Sequence, residues 1–334
     1  MVDPDALLLA IDGGQTATKS LLARADGTVL ASGVGGPSDH FHIEGGVEKN
    51  RRAILGAAND VLEKTGVDPA RIVAVGVGHT GLPTGSRAPE VAVRIVRERL
   101  SPREVSVFPD YVTNLAGASG GQPGVVLIAG GGAIGYGVTV DGKEAISGGF
   151  GYLLGDEGSA FDIGLRAIAA ACRGADLRDQ PTALTEIVLQ YFDVAKTRDL
   201  PPIVYAAGFS RERISLLSPK VVDAANAGDA AAVEIIRSSG RELARLALGV
   251  MRQLYAPGTP APVYLTGGVF SAGPILMEPF RALLGKEWPT AEPREPRFPP
   301  AVGALLLAAQ SVGIAVDDVW LANVAASLAA IRSA

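Results

Sequence analysis

The sequence predicts an α/β protein made of two similar halves. The main observation is a glycine-rich strand–turn–strand unit that occurs at residues 7–27 and again at residues 125–142. In each copy an apolar strand leads into a run of small residues, a return strand and an Asp-Gly hairpin turn. Segments with helical spacing follow each copy. With 334 residues, 48% hydrophobic and 5% aromatic, the chain has room for two domains with cores of Ala, Val, Leu and Ile.

The first half continues from its hairpin into alternating helices and strands. Residues 47–65 have apolar side chains at helical spacing and are followed by Gly66, which favours a helix C-terminus there. The next predicted elements are a strand at 72–77, a helix at 90–100 and a strand at 105–108 that stops at Pro109-Asp110. The first predicted domain comprises residues 1–117 together with 300–334.

The second half, residues 118–299, opens with the second hairpin and then becomes mostly helical. A helix is expected to start near Ser159, because Ser159 and Asp162 have the spacing of a capping box with Asp in place of Glu. The remaining predictions are two helices within 221–254 split near Gly228-Asp229, a strand at 263–266, a helix at 271–284, a proline-rich extended connector at 288–300 and a final helix at 301–312. The final helix is expected to pack on the first half.

Composition argues against several classes of function. The net charge of −5 gives no basic surface, so no nucleic-acid partner is expected. The single cysteine, Cys172, excludes an intrachain disulfide and any multi-cysteine zinc or iron–sulfur site within one chain. The N-terminus lacks the positive region of a signal peptide, and no apolar run reaches the length of a membrane span. We expect a cytoplasmic protein with no membrane partner.

Two glycine loops are candidates for binding a polyphosphate. The first, Asp12-Gly13-Gly14-Gln15-Thr16, is neither a P-loop nor a dinucleotide motif, because it lacks Gly-Lys-Ser/Thr and a strand follows it. Its glycines let backbone approach phosphate oxygens, Thr16 adds a hydroxyl donor, and Asp12 is suited to hold the water shell of Mg²⁺. The second loop is Gly130-Gly131-Gly132-Ala133. The alternatives are a tight hairpin for the first loop and a bulged strand end for the second.

Asp110 is the candidate catalytic residue. It lies at the carboxyl end of a predicted strand, where α/β folds commonly place reactive groups. A carboxylate there is suited to accept the proton of a sugar hydroxyl that attacks a γ-phosphate. The alternative is an ordinary turn or helix N-cap aspartate.

Three further segments are candidates for substrate and nucleotide contacts. The loop at residues 38–42, with Asp39 and His40, is a candidate sugar-binding edge or a solvated loop. Within residues 148–159, Asp156 or Glu157 is suited to accept hydrogen bonds from substrate hydroxyls or to favour the N-terminus of the next helix. Gly267-Gly268 after a buried strand is suited to let a nucleotide base and ribose lie on bare backbone, or is a simple strand-to-helix turn.

Together and in this order, these pieces resemble the N-acetylglucosamine kinase and BadF-type ATPase family of the actin-like superfamily. The resemblance rests on four segments: 12–16 and 126–133 as phosphate motifs, 148–159 as the most specific match, and 263–269 as the adenosine motif. It implies two ribonuclease-H-like domains around a central cleft, closing over ATP and a hexose, with Mg²⁺ as the metal and a homodimer as the assembly. The catalytic aspartate falls on Asp110. The implied sugar contacts are Asp39, His40, Gly149, Phe150, Gly151 and Asp156, and the implied phosphate contacts are Thr16, Gly131 and Gly132.

The chain departs from the family pattern at three positions. The second phosphate loop usually reads Gly-Thr-Gly-Ser, so Gly130-Gly131-Gly132-Ala133 lacks two hydroxyl donors. Asp39 stands where the family has an asparagine, which makes a free amino sugar more attractive as a substrate, and Gln15 replaces a glycine. The resemblance implies a kinase for the 6-hydroxyl of an amino sugar, with N-acetylglucosamine first. The alternatives are glucosamine, N-acetylmuramic acid or broad hexose kinases, a BadF-type regulatory ATPase, a sugar-responsive regulator and a sugar-binding degenerate kinase.

Overall fold

The computed structural model describes residues 6–82 and 86–333. The strands are β1 Leu7–Gly13, β2 Thr18–Arg24, β3 Val29–Gly35, β4 Ile72–His79, β5 Glu104–Pro109, β6 Gly124–Ala129, β7 Ala133–Val138, β8 Glu144–Gly148, β9 Ala261–Thr266 and β10 Ala291–Arg294. The α-helices are α1 Gly46–Thr65, α2 Ala88–Arg97, α3 Asp110–Ser119, α4 Ala160–Ala175, α5 Leu184–Phe192, α6 Pro201–Val204, α7 Glu212–Ser215, α8 Ser218–Asn226, α9 Ala230–Leu254, α10 Pro274–Glu287, α11 Pro300–Ser311 and α12 Asp318–Ser333. Within the described ranges, no helix is both long and apolar enough to cross a membrane.

The chain divides into two compact units with the same sheet arrangement. Unit 1 comprises Met1–Pro123 and Pro296–Ala334, and unit 2 comprises Gly124–Glu295. Unit 1 has the strand order β3-β2-β1-β4-β5, and unit 2 has β8-β7-β6-β9-β10, which is the same order counted from each hairpin. In both units the first three strands of this order pair in an antiparallel arrangement. The last two run parallel to the strand that opens the unit, β1 or β6. The duplication predicted from the two hairpins is therefore confirmed at the level of topology.

The unit 1 sheet is covered on both faces, so its central strand β1 is buried almost throughout. Leu7, Leu9 and Ile11 point to the face that packs with α1 and α2, and Leu8 and Ala10 point to the face that packs with α11 and α12. This alternation follows from the period of two along a strand. The predicted helix at 301–312 is α11, which lies against β1, β4 and α3. It is not the final helix as predicted, because α12 follows it.

The unit 2 sheet packs mainly against α9, and α4 and α10 pack on α9. Ser159 caps α4 as predicted: its Oγ accepts the amide of Asp162 at 3.2 Å, and Asp162 Oδ2 accepts the amide of Gly158 at 3.0 Å. The helix break near Gly228 is also confirmed, because Asp229 caps α9 by accepting the amide of Ala232 at 2.9 Å.

Two other element predictions differ from the structure. The connector predicted as extended chain at 288–300 contains the strand β10, which pairs in parallel with β9. Pro293 lies in β10, and proline is compatible with a strand at the sheet edge because no ladder hydrogen bond is needed on the outer side. The helix predicted from 271 begins at Pro274, because a short 3₁₀ helix at Gly268–Ala272 precedes it. The segment at 175–218, for which no elements were predicted, contains α5, α6 and α7.

Candidate active site

The first glycine loop is the turn between β1 and β2. Gly13 pairs with His79 of β4, the amide of Gly14 donates to the carbonyl of Ala17 at 3.2 Å, and Gln15 and Thr16 are exposed at the tip. A Cβ on Gly13 would lie 2.8 Å from His79 Cδ2 and 3.0 Å from the Ser38 Oγ. Only glycine fits this position, where three segments of unit 1 meet.

Asp12 and Asp110 lie at the same edge of the unit 1 sheet. Asp12 is near the end of β1, opposite Lys19 of β2, and Asp110 follows β5 as the first residue of α3. Burial, together with repulsion from the Asp110 carboxylate, raises the pKa of Asp12 to about 7, against the attraction of Lys19. The two carboxylates are therefore close enough for their charges to interact.

Asp110 is held at the start of α3 by side chains from two other positions. The Thr80 side chain hydrogen-bonds the Asp110 carboxylate, and Asn114 Nδ2 donates to the Asp110 carbonyl at 2.9 Å. Burial raises the pKa of Asp110 to about 6, and the Thr80 hydrogen bond opposes that rise. A carboxyl group with a pKa near neutrality is suited to general base catalysis.

The predicted sugar-edge loop lies against the turn that carries Thr80. Phe41 stacks on His79 with ring centroids 4.7 Å apart, and a Cβ on Gly81 would lie 2.0 Å from His40 Nδ1. The Ser38 amide donates to the carbonyl of Gly14 at 3.0 Å. The loop with Asp39 and His40, the first glycine loop and Asp110 are thus connected within unit 1.

Thr80, Lys49 and Asn50 contact the predicted site residues but were not singled out from the sequence. Lys49 forms an ion pair with Asp39, and the Asn50 side chain hydrogen-bonds the Asp39 backbone. Thr80 follows the parallel strand β4 directly, and this position at a carboxyl edge was the signal that would have found it. Lys49 and Asn50 offered no such signal, because their contacts depend on how the 38–42 loop folds back on α1.

The second glycine loop, in unit 2, is bonded at several points to the segment at 148–160. The amide of Ala160 donates to the carbonyl of Gly130 at 2.9 Å, and the amide of Gly149 donates to the carbonyl of Ala133 at 3.2 Å. Asp156 Oδ1 accepts the amide of Ala133 at 3.1 Å. The loop at Gly130-Gly131-Gly132-Ala133 is therefore fixed from outside its own hairpin.

Asp156 is buried beneath this loop. Asp156 is only 6% exposed, and its backbone φ is +65°. Burial raises the pKa of Asp156, and both the amide of Ala133 and the charge of Arg211 oppose that rise. A Cβ on Gly132 would lie 2.9 Å from each carboxylate oxygen, so the glycine makes room for Asp156. The contact found for this predicted sugar ligand is with the phosphate loop.

The neighbouring predicted sugar residues form an open, glycine-hinged loop. Gly149 and Gly151 have φ values of +73° and +78°, in the left-handed region that favours glycine. Phe150 between them is 71% exposed. An exposed aromatic ring on a loop of this kind is available to pack against the apolar face of a ligand.

Gly267 and Gly268 follow β9, which neighbours β6 in the unit 2 sheet. A Cβ on Gly267 would lie 2.2 Å from the carbonyl oxygen of Ala129, directly before the second phosphate loop. Both glycines are exposed. The predicted adenosine motif and the second phosphate motif thus meet at one sheet edge, within one unit.

The side chains present fit a magnesium ion bound with its nucleotide. In the described ranges there is no group of three or more His, Cys, Asp or Glu side chains that could form an all-protein metal cage. Mg²⁺ does not require one, since it commonly takes one or two carboxylates together with waters and phosphate oxygens. The Asp12 carboxylate near the end of β1 supplies one such group.

A cavity of about 870 Å³ in unit 2 lies elsewhere, between α5 and the α8–α9 connection, and is lined by residues that include Ile187, Tyr191, Lys220, Asp223 and Asp229. None of the site residues predicted from the sequence lines it. It is an open groove and is not part of the candidate active site.

Residues 9–308 match the sequence profile of the BadF/BadG/BcrA/BcrD ATPase family. The chain belongs to this family. The match spans both units and includes every candidate site residue, since the first of them is Asp12 and the last is Gly268.

Relatives of this family member include sugar kinases. An N-acetylmuramic acid/N-acetylglucosamine kinase from Clostridium acetobutylicum is 28% identical and aligns over 90% of this chain and 97% of its own. A glucosamine kinase from Vibrio cholerae is 24% identical over 70% of this chain and 77% of its own. The structure of a proposed N-acetylglucosamine kinase from Chromobacterium violaceum superposes with a TM-score of 0.75 at 28% identity, covering 91% of this chain and all of the other.

Proposed function

We propose that the protein is an ATP-dependent kinase that phosphorylates the 6-hydroxyl of an amino sugar, with N-acetylglucosamine as the first candidate. The observation that carries the proposal is Asp110, which follows β5 and is hydrogen-bonded by Thr80; burial raises its pKa to about 6 against the effect of that hydrogen bond. The sugar kinases among the relatives support the same class of reaction.

In the proposed reaction the hydroxyl oxygen of the sugar attacks the γ-phosphorus of ATP, and its proton passes to Asp110. The bond between the γ-phosphorus and the bridging oxygen of ADP breaks, so that ADP leaves. When bound, Mg²⁺ would neutralise charge on the phosphate oxygens, and Asp12 is the side chain proposed to hold it through water. Asp110 would thus both orient and deprotonate the hydroxyl.

The predicted binding residues keep their proposed roles. The proposed nucleotide contacts are Gly13, Gly14, Gln15, Thr16, Gly130, Gly131, Gly132, Ala133, Gly267 and Gly268, and the proposed sugar contacts are Asp39, His40, Asp110, Gly149, Phe150, Gly151 and Asp156. Their support is that the sugar-edge loop is bonded through Ser38 to Gly14, and that Gly149 and Asp156 are bonded to Ala133. A cytoplasmic homodimer is the proposed form in the cell.

ADP release with Mg-ATP tests the proposal when it is measured with glucosamine, N-acetylglucosamine, N-acetylmuramic acid and glucose in parallel. We expect release that depends on an amino sugar, with a sugar 6-phosphate as product. Asp110→Asn should lower kcat by about 10²–10⁴-fold, as loss of a general base does. Thermal unfolding and nucleotide binding should stay close to wild type. Wild-type turnover in this variant would reject the assignment of Asp110.

One observation favours a second candidate, a sugar-binding protein without transfer activity. The loop at Gly130-Gly131-Gly132-Ala133 has no side-chain hydroxyl, so it offers only backbone donors to phosphates. Sugar binding measured by calorimetry, without ADP release from any member of the panel, would support this candidate. ADP release that is independent of sugar would instead support a regulatory ATPase.

A further inference from the structure

The position of Asp39 is set by the fully buried Asn50. The Asn50 side chain makes two hydrogen bonds of 2.7 Å to the Asp39 backbone, accepting its amide with Oδ1 and donating to its carbonyl with Nδ2. On the other side, the amide of the preceding residue, Ser38, is bonded to Gly14 in the first glycine loop. The loop is therefore held from both sides, and the backbone position of Asp39 is fixed.

Both oxygens of the Asp39 carboxylate have partners. Oδ1 accepts the amide of His40 at 2.8 Å, and Oδ2 accepts Lys49 Nζ at 2.7 Å. The two side chains are 27% and 44% exposed, so the pair is open to a ligand. Burial alone would raise the pKa of Asp39, but the Lys49 and His40 hydrogen bonds lower it on balance. The sequence indicates only an acid at this position, whereas the structure shows that Asp39 forms an ion pair with Lys49.

The ion pair belongs to the same group of contacts as Asp110. The ring of His40 lies against Gly81, and Phe41 stacks on His79. Thr80 lies between His79 and Gly81, and its side chain hydrogen-bonds the Asp110 carboxylate. A sugar whose hydroxyl reaches Asp110 therefore has the Asp39–Lys49 pair on the adjacent loop.

We propose that the Asp39–Lys49 ion pair selects an amino sugar with an uncharged, acylated amino group over the free amine. The pair offers one acceptor and one donor side by side with no net charge, which matches the N–H and C=O of an acetamido group. An ammonium group has no acceptor to offer Lys49 and gains no net attraction from a neutral pair, since Lys49 already balances the charge of Asp39. The inference rests on the proposed sugar-kinase function and specifies its substrate class.

Lys49→Met tests the inference, because it removes the charge and keeps most of the side-chain length. An exposed ion pair contributes little to stability, so this variant is expected to fold. The measurement is the ratio of kcat/KM for N-acetylglucosamine to kcat/KM for glucosamine. We expect the wild type to favour the acetylated sugar. The ratio should be about tenfold lower in the variant, which corresponds to about 1.4 kcal/mol.

The matched control is Lys64→Met. Lys64 lies on the same helix, α1, and makes an ion pair of the same length, 2.7 Å, with Asp60. Asp60 also accepts a backbone amide, that of Val34, just as Asp39 accepts that of His40. The control therefore removes an ion pair of the same kind away from the loop, together with a hydrogen bond of 3.1 Å from Lys64 to the Ser32 carbonyl, and its selectivity ratio should equal that of the wild type. Lys49→Arg keeps the positive charge and should keep the preference for the acetylated sugar.

Two results would overturn the inference and leave the kinase assignment intact. One is a wild type that uses glucosamine at least as well as N-acetylglucosamine. The other is a ratio in Lys49→Met that matches the wild type and the Lys64→Met control. Absence of ADP release with every sugar would reject the proposed function itself. Calorimetric binding of the two sugars to the same variants would then decide whether the ion pair selects between them.

Discussion

Asp156 Oδ1 accepts the backbone amide of Ala133 at 3.1 Å. The same carboxylate fills the space beside Gly132, so a single buried side chain supports the second glycine loop. The loop has no side-chain hydroxyl, so in the proposed function its backbone amides are the donors to phosphate. Asp156 therefore acts on the loop whether or not it also contacts the sugar.

Gly132→Ala should weaken nucleotide binding. Its Cβ would lie 2.9 Å from both oxygens of Asp156, so either the loop or the carboxylate must move. Overpacking of this kind costs about 1–3 kcal/mol, and we expect the KM for ATP to rise about tenfold. Gly285→Ala is the control, because a Cβ there meets nothing within 4 Å and Gly285 lies in α10, outside the proposed nucleotide contacts. Equal KM values in the two variants would contradict the proposed packing.

Asp156→Ala should raise the KM for ATP and also destabilise the protein. It leaves the buried amide of Ala133 without its acceptor, which costs about 1–3 kcal/mol of unfolding free energy. Asp162→Ala removes a comparable carboxylate-to-amide hydrogen bond, to Gly158 at 3.0 Å, away from the loop. Urea unfolding should show a loss in both variants. The KM for ATP should change only in Asp156→Ala, and a similar change in both would argue against a specific role for Asp156.

Thr80→Val should lower kcat while leaving the KM for ATP near its wild-type value. The variant keeps the shape of threonine and removes the hydrogen bond to Asp110, which then loses its fixed orientation. Hydrogen bonds to charged groups contribute about 1.5–3 kcal/mol, so a loss of about tenfold or more in kcat is expected. Thr80→Ser keeps the hydroxyl and should restore most of the rate. Full activity in Thr80→Val would show that Asp110 needs no such support.

His79→Phe should make the unfolding free energy less sensitive to acid. Burial lowers the pKa of His79 from 6.5 to about 4, with a smaller contribution of the same sign from His40 and opposing ones from the Thr80 carbonyl and Asp39. Between these pH values the unfolded chain binds the proton and the folded protein does not, so His79 destabilises the fold as pH falls from 6.5 to 4. The full effect is about 3 kcal/mol.

Urea unfolding at pH 7 and pH 4.5 measures this effect. The phenyl ring of His79→Phe keeps the stacking partner of Phe41, whose ring lies 4.7 Å from that of His79. The exposed His42 provides a control, since His42→Gln should retain the wild-type pH dependence. Asp12 and Asp110 titrate in both variants and in the wild type, so they cancel in the comparison. An unchanged slope in His79→Phe would mean that His79 is not the group that titrates.

The elements predicted correctly are those with a strong local signal. Gly66 ends α1 in the left-handed conformation, Ser159 caps α4, and Asp229 caps α9, and each of these residue types has that role for reasons contained within a few positions of the chain. The strand β10 was missed because a proline there signals a break, whereas pairing with β9 decides the outcome.

The site was predicted in its residues but not in their partners. The sequence showed Asp39, Asp110 and Asp156 as separate acids at loops and strand ends. Their contacts with Lys49, Thr80 and the amide of Ala133 join positions 10, 30 and 23 residues apart, and no local pattern encodes such pairs. These contacts change the chemistry of the acids: Lys49 neutralises Asp39, Thr80 orients Asp110, and Asp156 supports the second glycine loop.

The division of the chain has a consequence for how the protein is made. Unit 2 is continuous, whereas unit 1 is completed only by Pro296–Ala334. Leu8 and Ala10 of β1 are covered on their face by α11 and α12, so that face has no cover until the last helices leave the ribosome. A nascent chain can complete unit 2 first, while the sheet that carries Asp12 and Asp110 waits with one apolar side open. Synthesis would thus complete the sheet that carries Asp12 and Asp110 last, and loss of the α11–α12 segment would damage that sheet most.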